Sequence, residues 1–226
     1  MTALLLGLAA GVGAFASARE RPRAQASRMS AWTAGVAAAC FVAGVGAIAT
    51  GLLPQSAPRW PAFGVESLAL PLLGAALAGA RVLFAIGVAL YLLHWLGQLT
   101  GGWRRRGWLA ACIAIAIFAT LGQAGARDAL VAGVAGALEG AAMVAVVYAL
   151  LRFDALAVPA FVATGAALGF VEGALRKGGT GALVNAAIAI VVTVAVAWAA
   201  TTYLQRARER ERAGAAAAAS DAATLS

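Results

Sequence analysis

The chain has 226 residues, of which 63% are hydrophobic and only 12% are charged, and its formal net charge is +8. A soluble domain carries roughly a quarter charged residues, so this composition excludes an ordinary soluble globular fold. The apolar residues form runs of about twenty without alternating polar positions, which predicts membrane-spanning helices rather than barrel strands. The predicted fold is all-α: a polytopic helical membrane bundle of about seven transmembrane helices.

Seven apolar runs follow one another along the chain and predict one bundle domain over residues 1–204. The predicted spans are residues 2–18, 32–53, 72–97, 108–124, 129–151, 155–175 and 182–204. The third run contains Arg81, and we interpret it as one span because its two halves are too short to cross a bilayer. Residues 205–226 predict a basic juxtamembrane segment and then an Ala-rich disordered tail with nothing to pack against.

The first run allows two interpretations. The sequence from Ala16 to Ala18 resembles a signal-peptide cleavage site, which would remove the run from the mature protein. No Lys or Arg precedes the run, however, and four arginines between Arg19 and Arg28 follow it. This polarity favours a retained helix with its N-terminus outside.

The distribution of basic residues predicts an orientation in the membrane. With the N-terminus outside, twelve of the 17 Lys and Arg residues fall in cytoplasmic segments, four fall outside, and Arg81 lies within a span. We therefore predict a multi-pass protein of the cell (inner) membrane with a cytoplasmic C-terminus. Because the charges flank apolar runs, we expect the lipid bilayer and other membrane protein subunits as partners, and no nucleic acid.

A few polar side chains inside or at the ends of the spans are the candidate site residues. They are Arg81, Glu139, Glu172, Asn185 and His94. A charge near the bilayer centre costs about 2.5–3.5 kcal/mol, so such residues either line a substrate or proton path or form an ion pair that fixes helix register. Counting residues from the outer ends of the runs predicts an Arg81–Glu139 pair near the midplane. The same count predicts a Glu172–Asn185 hydrogen bond near the outer surface.

Catalytic and ligand-binding motifs do not emerge from the sequence. No serine is central in a span, and a single histidine, His94, cannot form a His-rich zinc site. We interpret His94 as an interfacial side chain beside Trp95, and Asp154 as a cap at the start of the sixth run. The sequence thus predicts no catalytic residue, no cofactor and no metal site.

The chain from Leu150 to Leu156, with sequence LLRFDAL, leads from an arginine-capped helix into a second helix, a short loop and a last helix. This last third of the chain resembles the non-catalytic membrane region that accompanies some proteases of the CAAX-protease and bacteriocin-processing (CPBP) type. That family's activity needs an adjacent glutamate pair followed by an arginine, and histidines in later helices. This chain has no Glu-Glu pair and one histidine, so the resemblance carries over no catalytic residue and does not imply proteolysis.

Three hypotheses about function remain open. The first is a non-enzymatic, structural or partner-binding membrane subunit. The second is a small transporter or channel that uses Arg81, Glu139 and Glu172, and the third is an inactive relative of intramembrane proteases. A transporter needs several polar groups at one depth or a broken helix, and the sequence offers few of either, which favours the first hypothesis.

Four GxxxG pairs predict places where helix backbones approach closely. They are Gly7/Gly11, Gly136/Gly140, Gly165/Gly169 and Gly169/Gly173. Because an Ala- and Gly-rich chain produces such pairs by chance, we expect about half of them to be packing faces.

Overall fold

A computed structural model describes residues 28–51, 71–99, 129–151, 153–177 and 180–224. In chain order the helices are α1 (Arg28–Gly51), α2 (Pro71–Leu99), α3 (Ala129–Val146, extended by a π-helical turn at Val147–Leu151), α4 (Ala157–Lys177) and α5 (Thr180–Thr224). The described part of the chain contains helices and one turn, and no strand. The predicted all-α fold is therefore confirmed for these residues.

All five helices have the length and composition needed to cross a membrane. They correspond to five of the seven predicted spans, while the predicted spans at residues 2–18 and 108–124 lie outside the described residues. As predicted, α2 passes through Arg81 as one uninterrupted helix. The fold is that expected of a membrane-embedded bundle, and the described helices support five crossings rather than seven.

Helix α5 is longer than the sequence predicts. It has 45 residues, which at 1.5 Å per residue is about 67 Å, roughly twice the thickness of the hydrocarbon core. The helix continues through Thr224, where the sequence predicts a disordered tail. The difference has a local cause: the run Ala215–Ala219 consists of the best helix former and continues a helix that is already formed, so no new nucleation is needed.

The central helix of the bundle is α4, which packs against α1, α5 and α2, while α3 packs against α1. The first turn of α4 is the most deeply enclosed segment, since every residue from Leu156 to Ala160 is buried. One apolar cluster joins α1, α3 and α4 and includes Ala38, Val42, Val146 and Val158. Its buried members are alanines, valines and one leucine, and the alanines let the helix axes approach closely.

The directions of the outer helices relative to α1 follow from cross-helix contacts. Arg28 at the start of α1 contacts Gln205, and Trp32, four residues later, contacts Thr201, four residues earlier in α5, so these helices are antiparallel. Gly46, near the end of α1, lies beside Glu139 in the middle of α3. Because Ala38, earlier in α1, clusters with residues at the end of α3, these two helices are also antiparallel.

Helix α2 runs parallel to α5. Gly79 contacts Val192, and further along both helices Ile86 clusters with Ala197. Since α5 and α3 both oppose α1, it follows that α2 and α3 point in the same direction. The end of α2 and the start of α3 therefore lie at opposite ends of the bundle, and residues 100–128 connect those two ends.

Close backbone approach occurs at Gly35, a glycine outside the predicted pairs. A Cβ at Gly35 would lie 2.5 Å from the carbonyl oxygen of Ala157 and 2.8 Å from the Cβ of Ala160. At Gly165, Gly169 and Gly173 a Cβ would meet nothing within 4 Å. These two pairs are therefore not packing faces among the described helices. Gly136 and Gly140 are buried, and Gly7/Gly11 lies outside the described residues.

Candidate functional site

Arg81 is exposed at mid-depth on the outer side of α2. The neighbouring contact of Gly79 with Val192 places Arg81 level with Val194, close to the middle of the predicted span at residues 182–204. The next residue, Val82, is 3% exposed and faces the bundle. The predicted depth of Arg81 near the midplane agrees with this register, but its side chain points away from the bundle core.

Arg81 belongs to a continuous exposed face of α2, which we call the Arg81 stripe. Its members are Leu77, Arg81, Phe84, Val88, Tyr91 and Trp95. Their spacing alternates between four and three residues, which is the spacing of a helix–helix seam. Phe84 is 74% exposed and Tyr91 is 67% exposed. Within the described helices, this stripe is a long apolar face with one positive charge, one turn after its first residue.

Glu139 lies on a different side of the bundle from Arg81. Its carboxyl carbon and Oε1 are 3.9 Å from where a Cβ on Gly46 would lie, so the half-buried carboxylate faces α1. Gly46 lies 14 residues after Trp32, which in turn contacts Thr201. Glu139 is therefore level with about residue 187 of α5, roughly 10 Å from the level of Arg81.

The predicted Arg81–Glu139 pair is accordingly not the arrangement found in the described helices. The two residues differ in depth and face different neighbours, α1 for Glu139 and the outside of α2 for Arg81. The prediction counted depth from the outer end of each apolar run. The helices are staggered along the membrane normal, so equal counts do not give equal depths.

Glu172 and Asn185 lie on adjacent antiparallel helices. Glu172 is five residues before the end of α4 at Lys177, and Asn185 is five residues after the start of α5 at Thr180. The two helices pack against each other, so both residues lie at about the same level. Glu172 is exposed and Asn185 is half-buried. Their level agrees with the predicted hydrogen bond, which itself stays a prediction.

His94 is an exposed side chain near the end of α2. The amide nitrogen Nε2 of Gln98, one turn later, donates to His94 Nε2 at 2.9 Å. Such an i, i+4 pair is typical of a solvated helix surface. This geometry favours the interfacial interpretation of His94 over a proton relay.

A polar cluster joins the start of α1 to the part of α5 where the predicted span, residues 182–204, ends. We call it the Arg28 cluster, and it consists of Arg28, Trp32, Trp198, Thr201 and Gln205. Arg28 Nε donates to Gln205 Oε1 at 3.1 Å, and the guanidinium carbon lies 4.8 Å from the centre of the Trp198 ring. The rings of Trp32 and Trp198 are 5.5 Å apart. The guanidinium is thus fixed both by an aromatic face and by a hydrogen bond.

Trp32 begins the predicted span 32–53 and Trp198 lies near the end of the predicted span 182–204, but the sequence does not reveal this cluster. Arg28 and Gln205 are 177 residues apart, and nothing local to either residue indicates the other. The only sequence signal is a helix segment rich in Trp, Arg and Gln. This composition indicates a membrane interface, but it does not indicate that Arg28 pairs with Gln205.

Asp154 lies in the turn between α3 and α4. Its Oδ1 accepts a hydrogen bond from the Leu156 N–H at 3.1 Å, just before α4 begins. The predicted capping role is confirmed in this form. The same oxygen is 3.4 Å from Nη1 of Arg208, whose side chain is 40% exposed. An ion pair of this exposure contributes little to stability, so the turn hydrogen bond is the more important contact.

The buried polar side chains of the described helices are Thr193 and Thr201. Thr201 takes part in the Arg28 cluster, whereas the Thr193 hydroxyl has no hydrogen-bond partner among the described residues. Across the described ranges, no three His, Cys, Asp or Glu side chains come together in a metal-binding arrangement. The polar groups are instead distributed over several levels of the bundle, some buried and some exposed.

These features define a class: an α-helical bundle whose long apolar helices are compatible with a multi-pass membrane protein. Comparison with protein-family models, curated proteins and solved structures gave no match.

Proposed function

We propose that the chain is a seven-span protein of the cell (inner) membrane with its N-terminus outside and its C-terminus in the cytoplasm. The parallel directions of α2 and α3 support a further crossing between Leu99 and Ala129. That interval contains the apolar run 108–124, which is long enough to span. The end of the bundle that carries Arg28, Asp154 and Arg208 is the basic end, which the positive-inside rule assigns to the cytoplasm.

Single cysteines test this topology. In a chain with Cys40→Ser and Cys112→Ser, we would introduce Arg105→Cys, Arg127→Cys or Arg210→Cys. An impermeant maleimide should label position 127 in intact cells, and should label positions 105 and 210 only after permeabilisation. Labelling of positions 105 and 127 from the same side would rule out the additional crossing.

We propose further that the protein is a non-enzymatic, partner-binding membrane subunit. The observation that carries this proposal is the exposure of Arg81 at mid-depth on the Arg81 stripe. An arginine facing lipid at the bilayer centre costs about 2.5–3.5 kcal/mol on the insertion scale. A neighbouring membrane helix that supplies a carboxylate at that depth removes this cost, and the apolar stripe on either side supplies the packing.

The distribution of the other polar groups supports a binding role over transport. Glu139 lies about 10 Å from the level of Arg81, and Glu172 lies near the end of α4. Helix α2 is unbroken through Arg81, whereas transporter sites are typically formed by interrupted helices. A path built from these three residues therefore lacks a common depth. The resemblance to a non-catalytic region of CPBP-type proteins is in keeping with a subunit that performs no chemistry of its own.

Site-specific photocrosslinking at native expression level tests the partner-binding role. A crosslinker at Phe84, on the stripe, should give one membrane-protein adduct of defined mass. A matched crosslinker at Val191, which is 68% exposed on α5, should give none. Arg81→Leu should abolish the Phe84 adduct and Arg81→Lys should retain part of it. Equal adducts at both positions, or no effect of Arg81→Leu, would overturn the proposal.

A further inference from the structure

We infer that the Arg28 cluster is a binding site for the phosphate of an anionic phospholipid headgroup. The inference rests on a guanidinium held against an aromatic face at the membrane boundary, beside an exposed basic helix. It does not depend on the partner-binding role proposed for the Arg81 stripe, which lies at mid-depth on another helix.

The Arg28 guanidinium is oriented before any ligand arrives. Arginine carries five N–H donors in one plane, and the Nε–H donates to Gln205 Oε1 at 3.1 Å. The guanidinium carbon lies 4.8 Å from the centre of the Trp198 ring, and the terminal N–H groups, which lie in the guanidinium plane, match two oxygens of one phosphate. A donor pair that is already ordered loses less conformational entropy when it binds.

The neighbouring side chains fix this orientation. Gln205 Nε2 donates to Glu209 Oε1 at 3.1 Å, which turns the amide so that its oxygen faces Arg28. On the membrane side, Trp32 supports the Trp198 ring and donates to Thr201. The cluster is therefore anchored to both α1 and α5.

The position of the cluster fits a lipid headgroup better than a free anion. Trp198 is 44% exposed, so the aromatic surface beside Arg28 is open to lipid. Tryptophan of this kind lies at the headgroup level. A soluble phosphate would leave this apolar surface uncovered, whereas the glycerol and upper acyl chains of a phospholipid would cover it.

Charge also favours an anionic lipid at this end of α5. Arg206 is exposed one residue beyond Gln205, whereas Arg208 is paired with Asp154. Basic residues just outside a membrane span attract anionic lipids through the surface potential. Arg28 and Arg206 thus provide the local positive charge, with Arg28 held in a defined geometry.

Native mass spectrometry of the full chain, released from bilayers containing equal phosphatidylglycerol and phosphatidylcholine, tests the inference. The wild type should retain phosphatidylglycerol in preference to phosphatidylcholine. Arg28→Gln should lower that retention about tenfold, and Arg28→Lys should lower it less, because the charge remains while the fork is lost. The matched control, Arg212→Gln, removes the same charge from the exposed helix further along and should retain lipid as the wild type does.

Two further measurements keep the outcome decisive. The wild-type ratio of the two lipids requires no variant, so equal retention of both lipids would overturn the inference even if Arg28→Gln fails to fold. Millimolar glycerol phosphate in the release buffer should not displace the lipid, and displacement would show that a free phosphate is the ligand instead. If Arg28→Gln and Arg212→Gln lower phosphatidylglycerol retention equally, retention depends on net charge alone, and the proposed binding site at Arg28 is wrong.

Discussion

Trp32 of α1 donates a hydrogen bond from Nε1 to Oγ1 of Thr201 in α5, at 3.1 Å. The Thr201 hydroxyl in turn donates to the carbonyl oxygen of Ala197 at 2.8 Å. Thr201 is fully buried, so both its donor and its acceptor capacity are used inside the bundle. This short chain of hydrogen bonds joins the first and last described helices at the membrane boundary.

Removing this bond should weaken the contact between α1 and α5. We expect Trp32→Phe and Thr201→Val each to lower the free energy of unfolding in bicelles by about 0.5–1.5 kcal/mol. The double mutant should show a coupling energy of about 0.6 kcal/mol, and at most about 1.7 kcal/mol, the range measured for interhelical hydrogen bonds in membranes. Thr202→Val is the matched control, because Thr202 makes the same bond to the residue four positions earlier but receives no donor from α1. A coupling energy of zero would show that the bond contributes nothing.

Among the glycines whose surroundings the structure describes, Gly35 is the position where a single methyl group should be most harmful. A Cβ there would lie 2.5 Å from the backbone oxygen of Ala157, and backbone cannot move aside as a side-chain end can. We expect Gly35→Ala to destabilise the protein by about 1–3 kcal/mol in the same unfolding measurement. Gly165→Ala, where a Cβ would meet nothing within 4 Å, should be neutral or slightly stabilising. Equal effects at the two glycines would argue against the close contact between α1 and α4.

Substitutions at Asp154 should separate its two contacts. Asp154→Asn keeps an oxygen that can accept the Leu156 N–H and loses only the exposed ion pair with Arg208, so we expect a change below about 1 kcal/mol. Asp154→Ala loses both contacts and should cost about 1–2 kcal/mol. Arg208→Gln, which removes only the ion pair, should resemble Asp154→Asn. If Asp154→Asn is as destabilising as Asp154→Ala, the ion pair is the dominant contact.

The predicted Glu172–Asn185 hydrogen bond can be measured in the same way. We expect Glu172→Ala and Asn185→Ala to couple by about 0.6 kcal/mol in a double-mutant cycle, since interhelical hydrogen bonds between spans have that average strength. Val184→Ala, beside Asn185 but exposed, is the control and should not couple to Glu172→Ala. Strictly additive effects of Glu172→Ala and Asn185→Ala would rule out the bond.

The helices themselves are readable from the sequence. The apolar run predicted at residues 129–151 coincides with α3 and its π-helical turn, and the run through Arg81 is one helix as predicted. Asp154 caps α4 through its own neighbour, Leu156. Each of these features depends on residues within a few positions of one another. A helix closes its hydrogen bonds between residues four apart. Transfer of each apolar side chain into lipid is favourable whichever helix it later packs against.

The relations between helices were decided only by the tertiary structure. Arg81 and Glu139 have equal positions in their apolar runs, yet they differ in depth by about 10 Å because the helices are staggered. Gly35 packs closely while the GxxxG glycines at Gly165 and Gly169 remain open. Lipid tails are as apolar as the helix faces, so the hydrophobic effect does not choose between them. Shape and a few polar bonds between distant residues, such as Arg28 to Gln205, make that choice, and neither can be read from a local stretch of sequence.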